Sequence, residues 1–377
     1  MCAYKFNVDT TAKKNSFIYL FMTVFAFSTP CLAEELKLLV WEGYTPNTHM
    51  ESFQQYIKSK HGFEVTVSAE YVSKFEDFYN GIRGKSCDVA VIQYDLLKDN
   101  AYGFITKGLL LPIAEKNIIH AKNIIPSIYN SPDIREKGKI YSIGVTFGFY
   151  GLMYDTDEFT DPPTSWKILW SPKWSKKYST GNLANFNVLT TALAIGYDKK
   201  DIFNLDLLLS DSMLKEKLVS LIVNSAHIWE GVDTAQDLMT LKLTAGYGYS
   251  IPELAKKNKH WSITSPEEGS IAWIDGWVIT QRASRSEKAK MLAEEWINYT
   301  LSPEYQAEVF VRGIAAYPTN LKSKSLLSDD EIKRFHLDNP NYLHENHVVL
   351  KALDRRSRKG IEYLWNQAII ESGLESK

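Results

Sequence analysis

The stretch SIAWIDGWVIT, residues 270 to 280, sets a carboxylate between two indoles. Alternation at period 2 reads as a strand, with Ile271, Trp273, Asp275, Trp277 and Ile279 on one face and Ala272, Ile274, Gly276 and Val278 on the other. The second face is small and apolar, suited to packing against helices. On the first, a carboxylate in apolar company is costly unless a cation or a hydrogen-bond donor faces it. Backbone N–H groups at a strand end beside Gly276 would make Asp275 structural. An ammonium ligand would make it a receptor, with the indoles as cation–π walls.

Aromatic residues make up 13% of the chain, with 10 Trp and 21 Tyr, which suits a cleft with flat apolar walls and polar edges. Other constellations carry less. His344 and His347 in HENH have a spacing that would clamp a metal on a helix, but the intervening Glu and Asn read as a solvated surface. Glycines at 148, 151, 246 and 248 lack a phosphate-loop signature, and there is no nucleophile elbow, so the chain reads as a non-enzyme without cofactor or metal. Arg355, Arg356, Arg358 and Lys359 read as one wet helix face, and Trp166, Trp170 and Trp174 as loop packing. Trp229 with Glu230 fits a cleft or a lobe surface, and Cys87 an inert core thiol.

The elements that must position these groups fit in 377 residues that are 45% hydrophobic, enough for two lobes with separate cores. Phe17 to Phe27 is an unbroken apolar run after Lys13 and Lys14, and Pro30, Cys31, Leu32 and Ala33 follow it. This reads as a secretory signal peptide, residues 1–33, cleaved near Ala33, with a periplasmic mature protein. Pro30 before Cys31 argues against a lipid anchor. Losing Lys5, Lys13, Lys14 and Asp9 takes the formal charge from -2 to -4, which gives no general attraction for nucleic acid. Of the 3 cysteines only Cys87 stays, so the mature chain has no intramolecular disulfide, and no later segment is apolar enough to enter a membrane.

In chain order, Leu36 to Trp41 reads as a strand, and Met50, Phe53, Tyr56 and Ile57 as one face of a helix closed by Gly62. Phe63 to Ala69 is a second strand, Ser73 with Glu76 a capping box opening a helix that Gly84 ends, and Asp88 to Ile92 a third strand. Such a β-α-β-α-β unit demands parallel strands, with ligands at their carboxyl ends, here Trp41 to Tyr44 and Gln93 to Asp95. Tyr141 to Tyr154 reads as extended chain crossing into a second lobe. Helices are expected over 187–196, 206–223 and 287–301, another starting at Ser302-Pro303, and a helical tail from Ser328.

This order of motifs resembles the periplasmic spermidine/putrescine-binding proteins of ABC importers over nearly all of the mature chain. LLVWEGY, CDVAVIQYD, YSIGVTFGFYGLMYD, SWKILWSPKW and SIAWIDGWVIT, followed by INYTLSPEYQAEV and YPTN, carry the resemblance. It implies an α/β, two-lobed type II periplasmic-binding fold with discontinuous lobes joined by crossing strands. Lobe 1 would be residues 34–145 plus 275–325, and lobe 2 residues 146–274 plus 326–377 with the C-terminal helical tail. It also implies capture of a polyamine-like amine by Trp41, Tyr44, Tyr94, Asp95, Tyr249, Trp273 and Asp275. A membrane permease would take the amine onward; alternatively a membrane sensor receptor would read the closed form. The chain departs from the family where acids are expected at the start of a second-lobe helix, since Ala184 and Asn187 stand there. The Tyr expected near Gly313 is Ile314, with Tyr317 shortly after it.

Overall fold

The computed structural model describes residues 34–373, so the expected signal peptide lies outside the described residues. The first unit runs β1 (Glu34–Trp41), α1 (Asn47–His61), β2 (Val65–Val72), α2 (Phe75–Arg83) and β3 (Val89–Gln93). β1 lies between β2 and β3 and is parallel to both, as expected for strands joined by helical crossovers. Met50, Phe53 and Ile57 bury one stripe of α1, and Gly62 at φ 75° ends it in the left-handed conformation that glycine adopts without penalty. The capping box expected at Ser73 and Glu76 does not form. α2 starts at Phe75, so Lys74 takes the cap position without a side-chain cap and Ser73 lies one residue too early. A single helical turn, α3 (Tyr94–Leu97), follows β3 directly and sets Tyr94 and Asp95 at that strand's carboxyl end.

Beyond it come β4 (Ile143–Asp155), β5 (Tyr178–Gly181), α4 (Ala184–Ala194), α5 (Leu205–Ser210), α6 (Ser212–Asn224), β6 (His227–Trp229), β7 (Leu243–Gly246), β8 (Trp261–Thr264), β9 (Ser270–Thr280), α7 (Glu287–Thr300), β10 (His347–Val349) and α8 (Arg355–Glu371), with short turns unlabelled. The helix expected over 206–223 breaks at Asp211, whose carboxylate accepts from the N–H groups of Met213 and Leu214 at 2.8 and 3.2 Å and starts α6 afresh. The tail is not wholly helical either: β10 pairs in parallel with β9, Ser270 opposite His347 to Ala272 opposite Val349.

These ten strands, with the two-residue strands Leu110–Leu111 and Tyr317–Pro318, join in one 12-stranded sheet whose main path is β2-β1-β3-β9-β4-β7-β5-β6. β9 and β4 are its spine. They run antiparallel from Ile271 opposite Tyr150 to Trp277 opposite Ile143, with a register shift between Asp275 and Gly276. The second half of β9 also pairs with β3, Asp275 opposite Gln93, while the second half of β4 pairs with β7 and β8. Both strands therefore serve the first unit and the later one, and every residue of each is buried. Among α/β chains such two-sided burial goes with near-continuous hydrophobic runs, and Asp275 is the exception within β9. α8 folds back onto α4, α5 and α6.

Tyr94 fixes the level of this crossing. Its hydroxyl lies against Gly144, and a Cβ at Gly276 would fall 2.7 Å from its ring and into Ser142. Only glycine allows the ring under both strands. Gly276→Ala is expected to cost about 1–3 kcal/mol through overpacking, seen as a lowered melting temperature. An unchanged melt would show that Tyr94 is free to move aside.

Candidate functional site

Asp275 is 1% exposed. The Tyr44 hydroxyl donates to its Oδ2 at 2.7 Å, while Oδ1 has no hydrogen-bond partner. No Lys, Arg or His among the described residues lies within ion-pair distance of it, and the expected structural alternative of backbone N–H donors is absent. Burial pushes the carboxyl up to about 7, a rise that the Tyr44 hydrogen bond partly offsets. Tyr44 is buried too, edge-on to Phe310 at 5.4 Å, and its carbonyl accepts from the Tyr305 hydroxyl. Burial and the nearby Asp275 charge raise the Tyr44 hydroxyl well above its ordinary range, so it remains a donor.

Two residues before Asp275, on the same strand face, Trp273 meets Tyr249 with ring centroids 6.0 Å apart and Tyr247 at 6.4 Å. The Trp273 ring rides so close over β4 that a Cβ at Gly148 would sit 2.5 Å from it, and its Nε1 has no partner. Tyr247 and Tyr249 are held by a residue that sequence reading missed. The buried Asp233 carboxylate accepts from the N–H groups of Tyr247 (2.8 Å) and Ser250 (3.2 Å) and from the Ser250 hydroxyl (2.6 Å). It pins the turn around Gly248, whose φ is +90°. Tyr247 in turn packs edge-on to Trp229, which answers the open reading of Trp229: it lies beneath the aromatic cluster. A cleft of about 560 Å³ opens beside these rings, bounded by Gly148, Phe149, Tyr247, Tyr249, Trp273 and Tyr317.

Asp95 is 7% exposed, and burial pushes its carboxyl up to about 7, with the charges of Asp275 and Asp133 adding to the rise and Arg358 opposing it. Arg358 is not on a wet helix face, contrary to the sequence reading. From α8 it makes an ion pair with the buried Asp99 and lies over the Tyr102 ring at 5.4 Å. Trp41 is half-buried and turned edge-on to Phe75 and Phe78 of α2, 5.2 and 4.7 Å away, while Tyr94 is committed to the strand crossing. Thus Tyr44, Tyr249, Trp273 and Asp275 are brought together, Asp95 stands within electrostatic reach, and Trp41 and Tyr94 pack elsewhere.

The helix that lacks the expected acids is closed by its own bonds. Asn187 Oδ1 accepts from the Tyr150 and Thr180 hydroxyls at 3.1 and 2.9 Å, and its amide donates to the Gly181 carbonyl at 2.7 Å. His347 lies in β10 rather than on a wet helix surface with His344; it is 4% exposed and stacks on Phe149 at 4.4 Å. Among the described residues no group of three or more His, Cys, Asp or Glu is placed to hold a metal ion. Cys87 is buried, and burial with the Asp88 charge pushes its thiol up to about 12.

A family model described as bacterial extracellular solute-binding protein matches residues 88–346. The chain belongs to this family. Its members bind solutes rather than transform them, in the periplasm or outside the cell. A putrescine/agmatine-binding protein of Pseudomonas aeruginosa is 21% identical over 231 residues, a match spanning 58% of this chain and 61% of that relative. Among solved structures, the spermidine/putrescine ABC transporter substrate-binding protein PotD of Streptococcus pneumoniae superposes with a TM-score of 0.71 at 19% identity, over 90% of this chain and 100% of that one. A putative spermidine/putrescine ABC transporter of Listeria monocytogenes gives 0.72 at 19% identity over the same shares. These likenesses establish the periplasmic-binding-protein type of fold. No helix among the described residues of this solute-binding protein is long and apolar enough to cross a membrane.

The raised carboxyls give a pH dependence with a definite sign. A carboxyl whose folded value exceeds its unfolded one contributes stability that is fully present below the unfolded value, near 3.8, and lost as pH rises through about 7. His347, which burial pushes down to about 3, acts oppositely: its contribution is present above its ordinary 6.5 and lost as pH falls. The ligand-free melting temperature minus that of Asp275→Asn isolates the Asp275 part and is expected to fall between pH 4 and 8. A flat difference would mean that Asp275 is ionised throughout.

Proposed function

We propose that this protein captures a small cationic amine of the putrescine and spermidine class in a cleft between two lobes and hands it to a membrane permease. The lobes are residues 34–145 with 275–325, and 146–274 with 326–377. The observation that carries the reading is the Asp275 carboxyl, buried with one oxygen unpartnered and no protein cation to balance it. A protein keeps such a group where a ligand completes it, because an unpaired buried charge is among the costliest features a fold can hold. The amines for which the similar Pseudomonas and Streptococcus proteins are named support the same class.

In this reading Asp275 holds the ammonium, Tyr44 orients the carboxylate, and Trp273 with Tyr249 flanks the methylenes. Asp95 adds negative potential from the end of β3. An arriving ammonium favours ionised Asp275, so capture near neutral pH releases part of a proton and strengthens as pH rises toward 8. The Arg358 pair with Asp99 joins α8, packed on the later helices, to the segment after β3, and so favours the closed arrangement.

Thermal-shift measurements with putrescine, agmatine, spermidine and spermine, then calorimetry, test the reading. Ligand at a hundred times its Kd stabilises the native state by about 2.7 kcal/mol and raises the melting point. Asp275→Asn is expected to weaken binding by about 2–5 kcal/mol, since an amide cannot replace a buried charge-assisted partner. Silence from every amine, or unchanged affinity in the Asn variant, would defeat the proposal.

A further inference from the structure

Three groups on the Asp275 face of β9 lack partners; Trp277 Nε1 belongs to an indole packed on Trp296, and the other two are of opposite hydrogen-bonding sense. Asp275 Oδ1 is an acceptor; Trp273 Nε1, two residues and about 7 Å away along the strand, is a donor only. Both residues are at most 2% exposed. An ammonium, itself only a donor, completes Asp275 and does nothing for Trp273. What Trp273 needs is an oxygen acceptor.

The cleft beyond Trp273 makes the same demand. Lys199 and Arg334 both line it, and neither has an ion-pair or side-chain hydrogen-bond partner among the described residues. Arg334 feels Glu331 only at a distance, because that carboxylate is already bidentate to Arg312 at 2.7 and 3.0 Å. Two acids reach the same cleft. Glu345 accepts from the Asn339 amide at 2.7 Å, and Glu267 is exposed. Asn187 on α4, where the resemblance implies an acid, is neutral, and its Oδ1 already accepts from the Tyr150 and Thr180 hydroxyls. A second ammonium leaving Asp275 for this cleft would meet an unmet donor and two cations as well as the two acids, whereas a carboxylate placed between Trp273, Lys199 and Arg334 would meet partners of the right sign and hydrogen-bonding sense.

Resting on the amine reading above, we propose that the ligand is an aminocarboxylate, with its ammonium at Asp275 and its carboxylate in the cleft toward Trp273 Nε1, Lys199 and Arg334. A bare diamine or polyamine satisfies only one end of this arrangement.

Calorimetry on the purified chain with 5-aminopentanoate, 1,5-diaminopentane and pentylamine, their four- and six-carbon homologues, and spermidine separates the cases. The expected result is that at least one aminocarboxylate binds about tenfold or more tighter than its chain-matched diamine. Arg334→Gln and Lys199→Gln, both at exposed positions, are expected to remove about tenfold of that affinity while leaving pentylamine binding unchanged. A diamine or spermidine binding more tightly than every aminocarboxylate overturns the inference and leaves the amine reading standing. Equal loss for pentylamine in the Gln variants also overturns it, since the cations would then act through the fold. No binding by any amine removes both.

Discussion

The structure depends on holding one carboxylate, Asp275, out of water in the middle of β9, one of its two central strands. Burying an isolated ionised carboxylate costs many kcal/mol, and proteins usually answer with a cation, a set of N–H donors or protonation. Here Tyr44 supplies one hydrogen bond and a carboxyl near 7 supplies the rest. Nothing in the sheet relieves the second oxygen, although the strand runs between two antiparallel partners whose backbone groups are spent on the ladder. The arrangement persists because β9 and β4 are packed on both faces and cannot turn the side chain outward without dismantling the crossing. Tyr94 under Gly144 and Gly276 fixes how close the two strands come.

A second carboxylate, Asp233, solves the opposite problem and shows the contrast. It is as buried as Asp275, yet it accepts from two backbone N–H groups and a hydroxyl, which leaves it structural. Its work is to hold Tyr247 and Tyr249 against Trp273. Asp99, equally buried, takes Arg358 and the Ala101 N–H. Of these three aspartates only Asp275 is short of partners. Other buried side chains also lack partners, the Trp277 and Trp296 indoles and several hydroxyls among them, but those groups are neutral, and leaving a carboxylate oxygen unpartnered costs far more.

Much of this was legible because it rests on periodicity. Ser270–Thr280 alternates cleanly and is a strand over those residues, and the parallel β-α-β-α-β unit follows from helix and strand patterns punctuated by Gly62 and Gly84. The facing of Asp275 and Trp273 follows from period 2 alone. What failed depended on one-residue offsets or on distant partners. A one-residue shift in the start of α2 emptied the capping box, and Asp211 split a helix whose apolar pattern continued through it. Arg358 sits in a run of basic residues that looks solvated, and nothing local reveals that Asp99, far away in the chain, takes its charge. His347 reads as surface for the same reason, since its burial comes from pairing with β9 and stacking on Phe149.

The same distinction explains why the motif alone leaves the ligand's far end open. In the proposed reading the strand motif records one end of the ligand, the ammonium at Asp275, because both indoles and the acid lie within five residues. The far end would be met by groups from the loop after α4 and from the segment before β10, which line one cleft only in the fold. Their types follow no pattern along the chain. Asn187 shows the point most directly: in sequence it is a neutral replacement for an acid, open to any role, whereas in the structure every hydrogen bond it makes runs inward to Tyr150, Thr180 and Gly181. Both lone pairs of its Oδ1 and one of its two N–H groups are engaged within the protein, so it cannot accept from a ligand ammonium without losing a buried bond. The cleft is read instead from its charged groups, and two of these, Lys199 and Arg334, are cations without an ion-pair or side-chain hydrogen-bond partner among the described residues.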